Sequence, residues 1–150
     1  MTQRVVVGVD GSTGAKVALR WALEEARVRK ADLDVVYAYE FPVYPVGLEG
    51  AATPVLPLDQ LELGAKELVR GLIAEAVGAE SVGGPIIRDL AVLGSAPATL
   101  CKIAEGADLL VVGTRGHGGF AGLLLGSVST QCVHHARCPI AVVPTTPATG

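Results

Sequence analysis

The sequence predicts an α/β protein: a single doubly wound, five-stranded parallel sheet with helices on both faces. Three observations carry that prediction. Strand-like and helix-like segments alternate four times and close on a fifth strand, the order that gives parallel pairing with right-handed crossovers. Half of the residues are apolar and only 18% are charged, which sets disorder aside. One Trp, three Tyr and two Phe leave the core to aliphatic residues, and parallel strands buried on both faces read as unbroken aliphatic runs. The length suits one domain spanning residues 1–150, with no internal repeat or linker.

Taken in order, Arg4–Asp10 (RVVVGVD) is a β-branched run bounded by turn residues and reads as the first strand. Ser12 can cap the next helix. There Ala15, Ala18, Leu19, Ala22, Leu23 and Ala26 share one face, opposite Lys16, Arg20, Glu24 and Arg27. Asp34–Tyr39 is the second strand. Phe41–Pro57 holds four prolines and two glycines and reads as a loop. A second amphipathic helix covers Leu58–Val77, with Leu61, Ala65, Leu68 and Leu72 inward. Ile86–Leu93 is the third strand, although Arg88 and Asp89 interrupt it. Pro97 suits the first turn of a short helix reaching Glu105. Leu109–Gly113 is the clearest strand, followed by a glycine-rich loop, a helix over Ser127–His135 and the strand Ile140–Val143.

Charge is distributed unevenly. The net charge of −3 lacks the basic footprint of a nucleic-acid binder. Residues 1–108 carry fifteen acids against ten bases, whereas Leu109–Gly150 carries no acid at all. A C-terminal third without carboxylates suits an anion, which a carboxylate would repel. The three cysteines are too few and odd in number for a disulfide framework. The opening apolar run ends at Asp10, unlike a signal peptide. Gly116–Ala136 is uncharged but too rich in Gly, Ser and His to span a membrane. These features imply a protein of the reducing cytoplasm with neither membrane nor nucleic acid as partner.

The most informative stretch is Gly113-Thr114-Arg115-Gly116, then nine residues, then Gly126-Ser127-Val128-Ser129. Gly113 and Gly116 let backbone amides approach phosphate oxygens. Gly126 does so immediately before a helix whose first turn offers unpaired amides and a positive dipole end, with Ser127 and Ser129 as hydroxyl donors. Each piece alone is an ordinary turn or cap; their joint position after the fourth strand points to a nucleotide. A Walker A loop is excluded because no lysine follows Lys102. A loose dinucleotide pattern at Gly116–Ala121 lacks the acid expected about 20 residues further on.

This spacing, together with the opening VVVGVDGS and the closing GSVSTQCVHHARCPIAVVP, resembles the ATP-binding type of the universal stress protein family, particularly its actinobacterial members. The resemblance covers nearly the whole chain apart from Phe41–Pro57. It implies an adenine-nucleotide alpha-hydrolase-like fold with strand order 3-2-1-4-5 and a nucleotide-dependent regulator of the stress response rather than an enzyme. It implies ATP with magnesium as ligand. Asp10 would lie near the ribose and triphosphate through the metal, Gly8 would leave room for the nucleotide, Ala38 would contact adenine through its backbone, and Val92 would pack nearby. Gly113, Thr114, Arg115, Gly116, His117, Gly118 and Gly119, with Gly126, Ser127, Val128 and Ser129, would wrap ribose and phosphates. It also implies a homodimer through the uncharged edge strand Ile140–Val143.

Two rival readings are an adenylating or ATP-hydrolysing enzyme on the same fold and a nucleotide-free interaction protein. The first wants a glycine-rich loop directly after the first strand, and Val9–Gly14 is too poor in glycine. The second fits poorly with an intact glycine motif. Cys132, His134, His135 and Cys138 are of metal-ligating types, but Pro139 and the helix-to-strand change divide them. His117 has no neighbouring carboxylate in sequence to orient it as a base.

Overall fold

The computed structural model describes residues 2–41, 57–79, 83–114 and 125–145. Its strands are β1 (Arg4–Gly8), β2 (Asp32–Tyr39), β3 (Ile87–Leu93), β4 (Leu109–Gly113) and β5 (Ile140–Val143). The helices are α1 (Thr13–Arg29), α2 (Leu58–Val77), α3 (Ala96–Ile103) and α4 (Ser127–His135). All pairings are parallel, in the order β3-β2-β1-β4-β5. Residues 42–56 of the expected loop lie outside the described residues.

The period-two alternation of strand side chains divides the core into two layers. Val5 and Val7 of β1, Leu33 and Val35 of β2, and Leu109 and Val111 of β4 face α1 and α2. Val6, Val36, Leu110 and Val112 face α3 and α4. The central strands are therefore aliphatic on both sides. α1 buries its whole alanine–leucine face, and the small alanines let it lie close on the sheet. Ser12 caps it by accepting a hydrogen bond from the Ala15 N–H at 3.1 Å.

Several boundaries differ from those read in the sequence, each for a tertiary reason. β1 ends at Gly8, although the Val9 N–H still donates to the Val36 carbonyl at 2.9 Å. β2 begins at Asp32, because Arg4 pairs with Asp32 and Val6 with Asp34 in register. On α2, Val69 joins Ala65 and Leu72 in the core, while Leu61 and Leu68 are only half-buried. α3 stops at Ile103, where the Arg4 guanidinium takes over as donor to the carbonyls of Ile103 and Glu105, both at 2.9 Å.

Arg88 and Asp89, which look like interruptions of β3, are paired. Arg88 Nε donates to Asp34 Oδ1 at 2.6 Å, and Asp89 binds Arg70 of α2 at 3.0 Å. Asp34 is 3% exposed and also meets Arg4 at 3.1 Å. Arg88 reaches Asp32 at 3.5 Å. The hydrogen bond to Asp34 is the largest influence on the Arg88 guanidinium and raises its pKa further above the ordinary arginine value. Asp108 accepts from the Arg4 N–H at 2.7 Å. This network closes the amino-terminal end of the sheet.

Candidate functional site at the carboxyl ends of β1 and β4

α1 leaves β1 toward one face and α4 leaves β4 toward the other, while β1 and β4 are neighbours with Val7 opposite Val111. The strand order therefore reverses between them, and a crevice at such a switch point is where doubly wound sheets receive ligands. Three residues beyond that pair, just past the strand ends, stand Asp10 after β1 and Thr114 after β4.

Asp10 is half-buried, and its Oδ1 accepts from the Ser12 N–H at 2.9 Å. The turn that makes this possible passes through Gly11 at φ +82°, where a side chain would be strained. Gly8 is closely packed. A Cβ there would lie 2.6 Å from Leu100 Cδ1. Glycine at this position lets α3 lie against β1.

Ala38 and Val92 are direct cross-strand partners near the ends of β2 and β3, and both are half-buried. They share the sheet face of Val36 and Leu90, two residues earlier, which pack in the layer of α3 and α4.

The two halves of the glycine motif meet. The Thr114 N–H donates to the Val143 carbonyl at 3.1 Å, and the Thr114 carbonyl accepts from the Gly126 N–H. Gly113 and Thr114 are half-buried, as are Gly126 and Val128, whereas Ser127 is exposed. Ser129 departs from expectation. It is 2% exposed, and its hydroxyl is shared between the carbonyls of Thr114 at 3.2 Å and Gly126 at 3.0 Å. One proton serves both acceptors, so Ser129 fastens α4 to the exit of β4 instead of reaching outward. Thr130 adds a hydroxyl bond to the Gly126 carbonyl at 2.8 Å. Arg115, Gly116, His117, Gly118 and Gly119 lie outside the described residues.

Among the described residues no side chain caps α4, and its first turn holds no acid. The amides of Ser127, Val128 and Ser129 thus precede the first intrahelical bond, which Thr130 makes to Gly126. Open amides, a positive dipole end and the exposed Ser127 hydroxyl are the chemistry of an anion site, and they fit a phosphate group. Asp10, across the switch point, is of the oxygen-ligand type that suits a magnesium ion. By contrast Cys132 faces the core while His134 and His135 are exposed.

Sequence reading missed the Leu100 contact of Gly8 and the inward hydroxyl of Ser129. Only the helical position of Ser129, third in α4 and so turned away from Ser127, could have signalled the latter.

Fold and site together define a doubly wound α/β protein whose switch point carries groups of a kind that suit an anion. The family model described as "Universal stress protein family" matches residues 1–144, and the chain belongs to that family. It is 34% identical over 139 residues to universal stress protein Rv2623 of Mycobacterium tuberculosis, covering 93% of this chain and 46% of that protein. The chain thus spans about half the length of the curated relatives it matches. A crystal structure of a universal stress protein in complex with cAMP shares 28% identity and a TM-score of 0.67, over 96% of this chain and 98% of that one. The universal stress protein of Archaeoglobus fulgidus in complex with dAMP has the same fold, at 22% identity and a TM-score of 0.63, over 94% and 97%.

Proposed function

We propose that this chain binds an adenine nucleotide, ATP with magnesium, and serves as a nucleotide-dependent regulator in the cytoplasm rather than as an enzyme. The observation that carries this reading is the hydrogen bond from Gly126 to Thr114, which unites both halves of the glycine motif beside the uncapped first turn of α4. The relative in complex with cAMP supports adenine as the base. Ala38 and Val92 would border the base, the α4 amides and Ser127 would hold phosphate, and Asp10 would hold the cation. The metal would offset phosphate charge.

The test begins with denaturing freshly purified protein and identifying the released nucleotide, followed by melting curves with ATP, GTP and cAMP. A native-state ligand raises the melting temperature as it exceeds its dissociation constant. ATP with magnesium should give the largest shift; no shift at millimolar ATP overturns the proposal. A larger shift with cAMP favours the second reading, a cyclic-monophosphate site, which the cAMP-bound relative motivates. Product analysis after long incubation with ATP should return the nucleotide unchanged.

The same reading includes a homodimer through β5. Among the described residues that strand pairs only with β4, and its residues Ile140–Val143 carry no charge. The Pro139 and Val143 carbonyls bond to β4, so alternation turns the polar groups of Ile140 and Val142 toward the open edge. Val142→Pro removes an outward donor where an edge strand tolerates proline. Light scattering should show a dimer for the native chain and a monomer for the variant.

A further inference from the structure

Cys101, Cys132 and Cys138 come from three separate stretches of sequence and gather in one layer. Cys132 of α4 is fully buried in the core beneath α3 and α4, and half-buried Cys101 and Cys138 pack against that same cluster. Cys101 on α3 and Cys132 on α4 lie in that one layer where the two helices pack together, near enough for each to influence the other. Cys138 lies close enough to Cys101 to feel its charge. Among the described residues, no group of three His, Cys, Asp or Glu side chains is arranged to hold a metal ion. What the arrangement offers is thiol–thiol chemistry.

We propose that Cys101 and Cys132 form a modification site, a thiol pair that a hydroperoxide converts into a disulfide tying α3 to α4. The inference rests on the packing of these helices and is independent of the nucleotide reading. The cross-link needs an S–S bond of about 2.05 Å, and the two cysteines sit on helices that already pack against each other.

The two roles follow from exposure. Cys101 is the member of the pair that solvent reaches. Its thiolate attacks one peroxide oxygen, the O–O bond breaks, and the departing hydroxide takes up a proton as water. The Cys132 sulfur then attacks the sulfenic sulfur of Cys101, the S–O bond breaks, and a second water leaves with the Cys132 proton. Two thiols and one hydrogen peroxide thus give one disulfide and two waters. Burial pushes the Cys132 thiol up, so the first attack on peroxide falls to Cys101. Burial is also the main reason the Cys138 thiol is raised.

The sequence makes the test clean, because trypsin places the three cysteines in separate peptides: 89–102, 116–137 and 138–150. The full chain is exposed to graded hydrogen peroxide, free thiols are blocked with iodoacetamide, and the digest is read by mass spectrometry. Peptide 89–102 should appear joined to 116–137, the intact mass should fall by two hydrogens, and dithiothreitol should reverse both. Cys138→Ala should keep the cross-link and Cys132→Ala should lose it. If Cys132→Ala fails to fold by circular dichroism, half-buried Cys101→Ser gives the same readout. A link to 138–150, a link only between chains, or three free thiols at peroxide levels that oxidise glutathione would overturn the proposal.

Discussion

The two ends of the parallel sheet are built on opposite terms. At the amino-terminal end, Asp34 is held by Arg4 and Arg88, Arg4 also satisfies the last carbonyls of α3, and Asp108 accepts from the Arg4 backbone. Among the described residues no buried side-chain nitrogen or oxygen lacks a partner. At the carboxyl end, among the described residues, no side chain caps the first turn of α4, and Ser127 stands exposed. An end whose polar groups are all satisfied internally contributes to stability. An end that leaves amides open has capacity for a ligand.

Substitutions can break this contrast from either side. The largest effect on stability is expected at Asp34→Ala. Removing a buried carboxylate strands the charges around it, which costs about 3–5 kcal/mol when both partners are buried. Here Arg4 and Arg88 are 27% and 46% exposed, so water recovers part of the loss, and about 2–3 kcal/mol is expected. Urea denaturation measures it. ATP affinity at temperatures where the variant is folded should not change, since the site lies at the far end of the strands.

Gly8→Val comes next and tests the carboxyl end as a piece of packing. The new side chain meets Leu100, which is itself only 3% exposed and has little space to retreat. Overpacking of this kind costs about 1–3 kcal/mol. Leu100→Ala in the same chain should recover part of that loss. A loss of ATP affinity that Leu100→Ala does not recover would assign the glycine to the ligand as well.

How much of this was readable without coordinates depends on the range of each interaction. The five strands, their two-sided aliphatic character and the face of α1 are local patterns, and the sequence carries them openly. Arg88 and Asp89 looked like defects in a strand because their partners, Asp34 and Arg70, lie far away in the chain. Val69 replaced Leu68 in the core because one position on a helix turns a side chain by about 100°, and the packing of α2 decides which faces inward. Within the candidate site, the glycine spacing pointed to the β4–α4 junction, but not to which hydroxyls turn inward there. Ser127 and Ser129 look equivalent as letters, and their difference arises from the helix they begin.

A substitution at Gly126 separates binding from folding. Its backbone, at φ −75° and ψ 173°, is extended and open to any residue, so Gly126→Leu should keep the fold, at a cost of about 1 kcal/mol for losing a favoured N-cap residue. If phosphate approaches this backbone, the leucine blocks it, and ATP affinity should fall tenfold or more by calorimetry. Normal affinity would move the site away from the β4–α4 junction.

The smallest effects give the sharpest comparison, because they set two serines of one helical turn against each other. Ser129 is buried and spends its proton on Thr114 and Gly126. Ser127 is exposed, and no side chain caps the turn it opens. A neutral hydrogen bond contributes about 0.5–1.5 kcal/mol net, and the two variants should lose it in different measurements. Ser129→Ala should lower unfolding free energy by that amount, because a buried junction between α4 and β4 is weakened; any loss of affinity follows indirectly from a looser helix. Ser127→Ala should leave the urea midpoint where it was and weaken ATP binding about two- to tenfold, the same free energy read as a dissociation constant. Measuring both variants by urea denaturation and by calorimetry fills a two-by-two comparison. Loss on the diagonal supports one serine as fastener and the other as ligand donor. Equal loss of affinity in both, with stability unchanged, would mean that Ser129 turns outward when nucleotide arrives and that the junction with Thr114 opens on binding.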